Sequence, residues 1–286
     1  MPIWFIFSLL SVLALAGAEI SQKASLTQKV NISAITNNFY VWTLQGITGL
    51  TLAVILGQFS LNLSSQSLIK LAIIGIVYFI GGTAFYTSYK GNSPSISLTL
   101  GTISVIVSSI FGTLFLNDSF TITKVLGIGL ILSSIFFINF DKKEKFNKYN
   151  LYALLGGSCF GIAFTIDKSF VVGMSPFMYL GLMCLTVAIV NLIFGLKLIA
   201  KETKELSSKN FIPMILSNSF FSTFNLLTFF AYANGANVGV ADAINNSAIF
   251  FVILLEIIVL KDRTNLSKKL IAALIAISGV WILGLL

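Results

Sequence analysis

The chain has 286 residues, of which 56% are hydrophobic and only 10% are charged, and its formal net charge is +8. Soluble domains contain on average about 25% charged residues, so this composition excludes an ordinary water-soluble globular protein. Because a helix that crosses a bilayer needs roughly 20 apolar residues, the sequence predicts an all-α integral membrane protein with little material outside the membrane.

Ten apolar runs follow one another along the chain, each bounded by charged or turn-forming residues, and they predict ten transmembrane helices. Pro94, Pro176 and Pro213 lie at or near the starts of three runs, where a missing N–H costs no hydrogen bond. The predicted spans cover residues 3–22, 32–57, 68–90, 94–116, 121–140, 150–170, 176–200, 211–233, 238–260 and 266–286.

Histidine is absent from the sequence, which excludes histidine general bases, histidine-activated nucleophiles and histidine metal ligands. The GxxxxGK[ST] loop that binds nucleotide phosphates is also absent, so we expect no ATP-driven engine in this chain. Cys159 and Cys184 lie in apolar runs, where thiols pack as small hydrophobic groups. We therefore expect no enzyme, no catalytic residue, no metal and no cofactor.

The basic residues are unevenly distributed: 15 of the 18 lie in loops after odd-numbered spans. Because short loops rich in Lys and Arg stay in the cytoplasm, the bias predicts a multi-pass protein of the cell (inner) membrane, with odd-numbered loops cytoplasmic and both termini outside. This role explains the positive charge better than lipid-headgroup recognition, and we expect no nucleic acid partner. The residues in the odd-numbered loops are Lys23, Lys29, Lys90, Lys142, Lys143, Lys145, Lys148, Lys197, Lys201, Lys204, Lys209, Lys261, Arg263, Lys268 and Lys269.

Residues Phe85–Asn139 match Phe229–Leu283 without gaps at an offset of 144 residues. Leucine-rich composition does not readily align Gly, Asp and Lys at the same loop positions, so the match indicates a repeat of five spans. An odd number of spans inserts the second copy from the opposite side, and residues 1–145 and 146–286 are predicted to form two inverted five-helix repeats. Identical pairs include Phe85 with Phe229, Gly91 with Gly235, Leu116 with Leu260, Asp118 with Asp262, Lys124 with Lys268, Leu126 with Leu270, Leu130 with Leu274 and Ser134 with Ser278.

Inverted repeats favour a carrier, because two similar halves can exchange conformations and open a central cavity to each face in turn. A channel or receptor has no such need for duplication. Duplication also serves purely for assembly, so the repeat alone favours a carrier without deciding the function.

The first helix of the second half ends with a recognisable pattern. Phe160 and Gly161 are followed by Lys168, seven residues after the glycine. This is similar to the W-G-x6-K ending of the first helix in repeats of the EamA-like family, within the drug/metabolite transporter superfamily. In the first half, Ala16 and Lys23 keep the spacing without the glycine.

The fourth spans of the two halves add to this resemblance. Asn117-Asp118 and Lys261-Asp262 stand where the family has an L-G-E-type acidic loop, whereas the arginine frequent in the family's second helix is missing. The resemblance covers nearly the whole chain. It implies ten spans in two repeats, a cavity surrounded by spans one, three, four, six, eight and nine, and transport of small organic metabolites.

Ionisable residues inside lipid-crossing helices are costly and are therefore candidates for function. Glu19 lies one helical turn from Lys23, which favours a structural ion pair, with a proton carrier or a counter-ion for an amine as the functional alternative. Asp167 and Lys168 are expected to be interfacial, and Glu256 is expected to extend towards the membrane surface.

Polar side chains also recur at helical spacings. Asp242, Asn245 and Asn246 are spaced i, i+3 and i+4, so they share one helix face and form the preferred cavity wall. Hydrogen bonding between helices is the alternative for all the amides. The aromatic rings of the third span can line a cavity or pack. The candidate substrate-binding residues are Glu19, Asn38, Trp42, Tyr86, Asn218, Asn225, Asp242, Asn245 and Asn246.

We therefore expect a secondary transporter of small organic solutes, and the resemblance implies an exporter of amino acids or related amphipathic compounds. A wall with few charges suits a neutral, zwitterionic or weakly cationic solute, since phosphate would require arginine. Energy would come from the solute gradient or from protons through Glu19 or Asp242. The alternatives are a lipid flippase or a scaffold subunit of a membrane complex. The expected partners are a small-molecule solute and membrane lipid, and the sequence predicts no particular oligomeric state.

Overall fold

The computed structural model describes residues 2–27, 32–61, 63–118, 121–139, 147–206 and 208–284. Within these ranges the chain forms twelve α-helices, one π-helical turn and no strand. The elements are α1 (Ile3–Leu26), α2 (Ala34–Ile55), α3 (Ser65–Ser88), α4 (Pro94–Gly101), α5 (Ile103–Leu116), α6 (Ile122–Asn139), α7 (Lys148–Val171), α8 (Pro176–Thr203), α9 (Ser208–Ala233), α10 (Val238–Asn246), α11 (Ala248–Leu255), the π-turn (Glu256–Leu260) and α12 (Leu266–Gly284).

Two of the predicted spans are broken in the middle. Thr102 alone separates α4 from α5, and Ser247 alone separates α10 from α11. The Thr102 hydroxyl donates to the Thr99 carbonyl at 2.6 Å, a type of bond that competes with the helix and bends it. The two breaks are 145 residues apart, one more than the offset of the repeat, so they fall within one residue of equivalent points.

In the part of the chain that the structure describes, seven segments are long and apolar enough to cross a membrane, which indicates a multi-pass membrane protein. The helices α2, α6 and α12 are outside this set, and their crossings stay a prediction. The seven segments are Ile3–Leu26, Ser65–Ser88, Pro94–Leu116, Lys148–Val171, Pro176–Thr203, Phe211–Ala233 and Val238–Leu260.

Several predicted boundaries move. The first helix continues to Leu26, and α9 begins at Ser208, which leaves Pro213 inside the helix. Four basic residues used for the charge bias lie outside the described residues, namely Lys29, Lys142, Lys143 and Lys145.

Helix packing follows a regular exchange between the halves. Helix α1 packs on α9 and α3 packs on α7, while α2 packs on α8 and α6 on α12. Replacing each helix by its counterpart in the other half converts the first pair into the second and leaves the last two pairs unchanged. The described helices are therefore arranged as two halves related by a two-fold exchange.

The crossing of α2 and α8 depends on two glycines. A Cβ atom added to Gly49 would lie 2.5 Å from the backbone nitrogen of Gly181, which is closer than atoms can approach. Small residues that let backbones approach are common where helices associate in membranes. The outward faces carry large apolar side chains instead, including Ile55, Ile193 and Phe194, as lipid contact requires.

Candidate functional site

A central cavity lies between the two halves, with about 730 Å³ of empty space when its open part is included. Helices α1, α2, α3, α4, α5, α7, α9 and α10 contribute to its wall. Among the described residues, α6 and α12 contribute none, as the family resemblance implied for the fifth and tenth spans. The second span, which that resemblance left out of the wall, contributes Asn38, Val41, Trp42 and Gln45.

The structure brings eight of the nine candidate residues together around this cavity. They come from five helices distributed along the chain, and packing between the two halves brings them together. These residues are Glu19, Asn38, Trp42, Tyr86, Asn225, Asp242, Asn245 and Asn246.

Asn218 is the exception. Helix α9 faces the cavity with Phe221, Phe224 and Asn225, whereas Asn218 accepts a 3.3 Å hydrogen bond from Ser222 on the same helix. Seven residues separate it from Asn225, which places it roughly 10 Å further along the helix axis. The spacing of polar residues along α9 did not show how far the cavity extends along the helix.

Asp242 is held by three neutral donors. Its carboxylate accepts hydrogen bonds from the hydroxyls of Ser104 at 3.2 Å and Ser108 at 2.9 Å, and from the Asn246 side chain at 2.9 Å. The two serines lie on α5, so these contacts join the fourth span of the first half to its counterpart in the second half. This cross-link could not be inferred from the spacing within α10.

The amides of the wall bond between helices as well as facing the cavity. Asn225 donates to the side-chain oxygen of Gln45 at 2.9 Å, and Gln22 donates to the Asn38 side chain at 3.3 Å. These side chains thus both form hydrogen bonds between helices and line the cavity. The amide nitrogen of Asn38 is buried, lines the cavity and has no partner among the described residues, which leaves one donor free for a ligand.

Glu19 does not pair with Lys23 as the spacing suggested. Its carboxylate accepts a hydrogen bond from the Tyr89 hydroxyl, while the Lys23 ammonium donates to the backbone carbonyls of Tyr89 and Asn92. Only 3% of Glu19 is exposed, and the residue lines the cavity. The structural ion pair is therefore absent among the described residues, and the role of Glu19 as a proton carrier or counter-ion for an amine stays a prediction.

Asp167 was expected to be interfacial; its depth in a membrane stays a prediction, but its side chain is enclosed by protein. It is fully buried and accepts hydrogen bonds from the hydroxyls of Tyr78 and Tyr179, each at 2.6 Å. Its neighbour Lys168 forms an ion pair with Asp118 at 3.2 Å. Adjacent residues of a helix point about 100° apart, so the two charges of α7 reach different surroundings.

The remaining wall is largely aromatic. Trp42 packs against Tyr78 with ring centroids 5.2 Å apart, and Phe85 packs edge-on against Tyr86 at 5.5 Å. The lining contains two carboxyl groups, Glu19 and Asp242, and no lysine or arginine among the described residues. The cavity therefore offers apolar faces, hydrogen-bonding groups and negative rather than positive charge.

Comparison with known proteins agrees with this architecture. A model of the EamA-like transporter family matches residues 2–140 and matches again over residues 147–285. The chain belongs to the EamA-like transporter family. The two matches confirm the two repeats and the resemblance to the drug/metabolite transporter superfamily, and members of this family are transporters rather than enzymes. The chain is thus a membrane transporter of this type.

The structural comparison supports the fold alone. One solved structure, titled only "Crystal structure of protein", superposes with a TM-score of 0.73 at 12% sequence identity, covering 98% of this chain and 96% of that chain. A search of curated proteins gives no match.

The two EamA repeats end their fourth spans in the same way. Asn117 and Lys261 both adopt left-handed backbone conformations, with φ of 56° and 55°, and they are 144 residues apart. The next residues, Asp118 and Asp262, each donate a backbone N–H at 3.1 Å, to Gly112 and Glu256 respectively. The sequence repeat is therefore also a repeat of backbone geometry.

Each of these helix ends also binds the other repeat. Asp118 accepts hydrogen bonds from Lys168 at 3.2 Å and from the backbone N–H of Val238, at the start of α10, at 3.3 Å. At the C-terminal end of the span that begins with α10, Glu256 is buried and accepts a hydrogen bond from the Ser95 backbone N–H at 2.5 Å. The prediction that Glu256 extends to the surface is therefore wrong, since it bonds to the first turn of α4.

The Glu256 contact belongs to a larger cluster, which we call the Glu256 network: Ser95, Glu256, Asp262 and Lys269. Lys269 is 2% exposed and forms ion pairs with Glu256 at 2.9 Å and Asp262 at 3.2 Å. Burial raises the pKa of Asp262, but hydrogen bonds from Thr264 and Lys269 outweigh this effect, and the pKa lies below its ordinary value.

Proposed function

We propose that this EamA-like protein is a secondary transporter that moves a small organic solute by alternating access, and that it exports amino acids or related amphipathic compounds. The observation that carries the proposal is the central cavity, whose wall is contributed by both repeats. A site enclosed between two similar halves can be opened to either side by a change in their relative position.

The chemistry of the wall indicates the solute class. Glu19 and Asp242 supply negative charge for an ammonium group, and the free amide N–H of Asn38 can donate to a carboxylate or carbonyl. Aromatic rings such as Trp42 cover the apolar part of a solute. An amphipathic amino acid or amine satisfies all three features, whereas a phosphorylated solute would leave its charge without a basic partner.

The proposed topology has ten crossings, five in each repeat, with the repeats inverted. Helices α2, α6 and α12 contain 22, 18 and 19 residues, which is within the range of roughly 17–25 residues found in transmembrane helices. The counterpart of α2 in the second repeat is α8, which is among the seven apolar spans. With ten crossings, the basic loops lie in the cytoplasm of a cell with this protein in its inner membrane, and both termini lie outside.

The cavity also favours a solute carrier over the two alternatives. A scaffold subunit requires no central cavity. A lipid flippase requires a basic site for the headgroup phosphate, and the described lining residues include no lysine or arginine. The carrier accounts for both the cavity and its charge.

The test is solute exchange in liposomes that contain the purified protein. Thermal-shift screening against amino acids, amines, nucleosides and lipid headgroups selects the compounds, because a ligand of the folded state raises the melting temperature. Liposomes loaded with each compound are then assayed for uptake of its labelled form, and a fluorescent phospholipid is assayed for flipping in the same preparation.

Two asparagines of α9 provide a matched pair of variants. Asn225→Ala changes a cavity residue, and Asn218→Ala makes the same change outside the cavity. We expect amino acid or amine exchange by the wild type, a severalfold loss in Asn225→Ala and near-normal exchange in Asn218→Ala. Lipid flipping without solute exchange, or equal loss in both variants, contradicts the proposal.

A further inference from the structure

Asp167 is a buried carboxyl group that the proposed transport cycle has not yet used. Its relative exposure is 0%, and its hydrogen bonds among the described residues come from two neutral hydroxyls, those of Tyr78 and Tyr179. The nearest cation along the chain, Lys168, is directed to Asp118 instead. Among the described residues, Asp167 therefore has no ion pair of the kind that buried carboxylates usually form.

This arrangement can hold the carboxyl group in either charge state. An ionised carboxylate accepts from both tyrosines, which offsets part of the cost of burying the charge. A protonated carboxyl donates to one tyrosine oxygen and still accepts from the other, because a phenol hydroxyl can act as donor or acceptor. Binding a proton thus reverses one hydrogen bond, and the hydroxyl hydrogen of that tyrosine then has to turn to another acceptor.

The two tyrosines connect Asp167 to different parts of the transporter. Tyr78 belongs to α3 in the first repeat and lines the solute cavity, whereas Tyr179 belongs to α8 in the second repeat. Asp167 itself lies behind the wall and does not line the cavity. A change in its charge therefore acts on a contact between the repeats, and that contact is what alternating access must alter.

We propose that Asp167 is the proton-binding site that couples solute transport to a proton gradient, and that Tyr78 is a positioning residue that connects this site to the cavity. The inference rests on the proposed function of the cavity and adds the coupling ion to it. It replaces the sequence-based hypothesis that Glu19 or Asp242 carries the proton. Those two carboxyl groups line the cavity and are placed to bind solute.

Other ionisable side chains of the described residues surround Asp167, and they lie on the helices packed against α7. The hydroxyl of Tyr232 on α9 interacts electrostatically with Asp167, is buried and has no hydrogen-bond partner among the described residues, so it is available to one more partner. Helices α4 and α5 contribute none. The groups facing this part of α7 are Lys70 and Tyr78 on α3, Tyr179 and Cys184 on α8, Tyr232 on α9, Asp242 on α10 and the Asp118–Lys168 ion pair.

Infrared difference spectroscopy tests proton binding without any solute. Spectra of the liposome-reconstituted protein are compared at about pH 5 and about pH 9. An unperturbed aspartate is ionised at both pH values, so a C=O band that disappears between them belongs to a carboxyl group that loses its proton within this range. We expect one such band to vanish in Asp167→Asn and to persist in Asp262→Asn, which removes an acid outside the spans. A full set of bands in Asp167→Asn overturns the proposal.

Proton flux tests coupling. Liposomes loaded with a mixture of the common amino acids and a pH-sensitive dye are diluted into amino-acid-free buffer, and amino acid efflux and internal pH are recorded together. We expect the wild type to show both fluxes, and Asp167→Asn to retain efflux while proton flux falls to background. Proton flux that persists in Asp167→Asn overturns the proposal.

Two further measurements keep the outcome decisive. If Asp167→Asn does not fold, Tyr179→Phe is tested instead, because it retains the carboxyl group and removes one hydrogen-bond donor to it. We expect the infrared band of Asp167 and the pH profile of proton flux to shift in this variant. If both are unchanged from the wild type, the proposal is overturned. If the wild type shows no amino acid efflux, the proposed solute class fails while the infrared experiment still decides whether Asp167 binds the proton.

Discussion

The carboxylate of Glu256 accepts a hydrogen bond from the backbone N–H of Ser95 at 2.5 Å, so the fourth span of the second repeat binds the first turn of the fourth span of the first repeat. A carboxylate is well placed there, because the start of a helix carries unpaired N–H groups and a partial positive charge. Lys269 neutralises the same carboxylate from α12. The Glu256 network therefore fastens three segments at one end of the bundle.

The first prediction concerns this network. Lys269→Met removes the ion-pair partner of the buried Glu256, and the loss of one partner of a buried pair costs about 3–5 kcal/mol. We expect a clearly lower melting temperature in detergent. Lys201→Met makes the same change at an exposed position and should melt like the wild type. Equal melting of the two variants would show that Lys269 does not stabilise the fold.

The second prediction concerns the crossing of α2 and α8. Gly49→Ala forces a Cβ atom against the Gly181 backbone, and overpacking of this kind costs about 1–3 kcal/mol. Gly129→Ala is the matched control, because nothing lies within 4 Å of a Cβ atom built there. We expect destabilisation in Gly49→Ala only, measured by thermal unfolding in detergent. A loss of similar size in Gly129→Ala would mean that the close approach is not the cause.

These sites show how far the sequence could predict the structure. The spacing of Asp242, Asn245 and Asn246 identified one helix face, and all three residues line the cavity, because the 3.6-residue period is a local property. The five-span repeat was equally readable, since its loop residues align without gaps. Local periodicity therefore predicted the helix face correctly, and self-similarity predicted the repeat correctly.

Hydrogen-bond partners that are distant in sequence could not be predicted. Glu19 was assigned to Lys23, four residues away, but its partner is Tyr89, 70 residues away. Asp167 was placed at the interface because it is near a helix end beside a lysine, although tyrosines from two other helices surround it. Which helix faces which residue depends on packing between the repeats, and no spacing within one helix contains that information.

The third prediction concerns Glu19 as a solute contact. Glu19→Gln keeps a hydrogen-bond acceptor for Tyr89 but removes the negative charge at the cavity. A charged hydrogen bond is worth about 1.5–3 kcal/mol, so exchange of ammonium-bearing solutes should weaken by roughly tenfold or more, while neutral solutes change little. Exchange in liposomes measures both. Glu205→Gln, at an exposed site, is the control. If the ratio of charged to neutral solute exchange in Glu19→Gln equals that of the wild type, this contact is excluded.

The fourth prediction concerns acid stability. The pKa of Asp262 lies below its ordinary value in the folded protein, so ionised Asp262 stabilises the fold above about pH 4, and this contribution is lost as the pH falls through the folded-state pKa. Asp262→Asn lacks the contribution at every pH. We therefore expect its melting temperature to fall less than that of the wild type on acidification below about pH 4. Parallel melting curves for the two proteins would contradict this effect.

The most direct measurement for alternating access is the accessibility of the cavity from both sides of the membrane. A single cysteine at position 225, in a chain with Cys159 and Cys184 changed to alanine, is exposed to a membrane-impermeant thiol reagent in right-side-out and in inside-out vesicles. The account predicts labelling from both sides, and protection on both sides by a transported solute. Labelling from one side only, with or without solute, would contradict a cavity that opens to each face in turn.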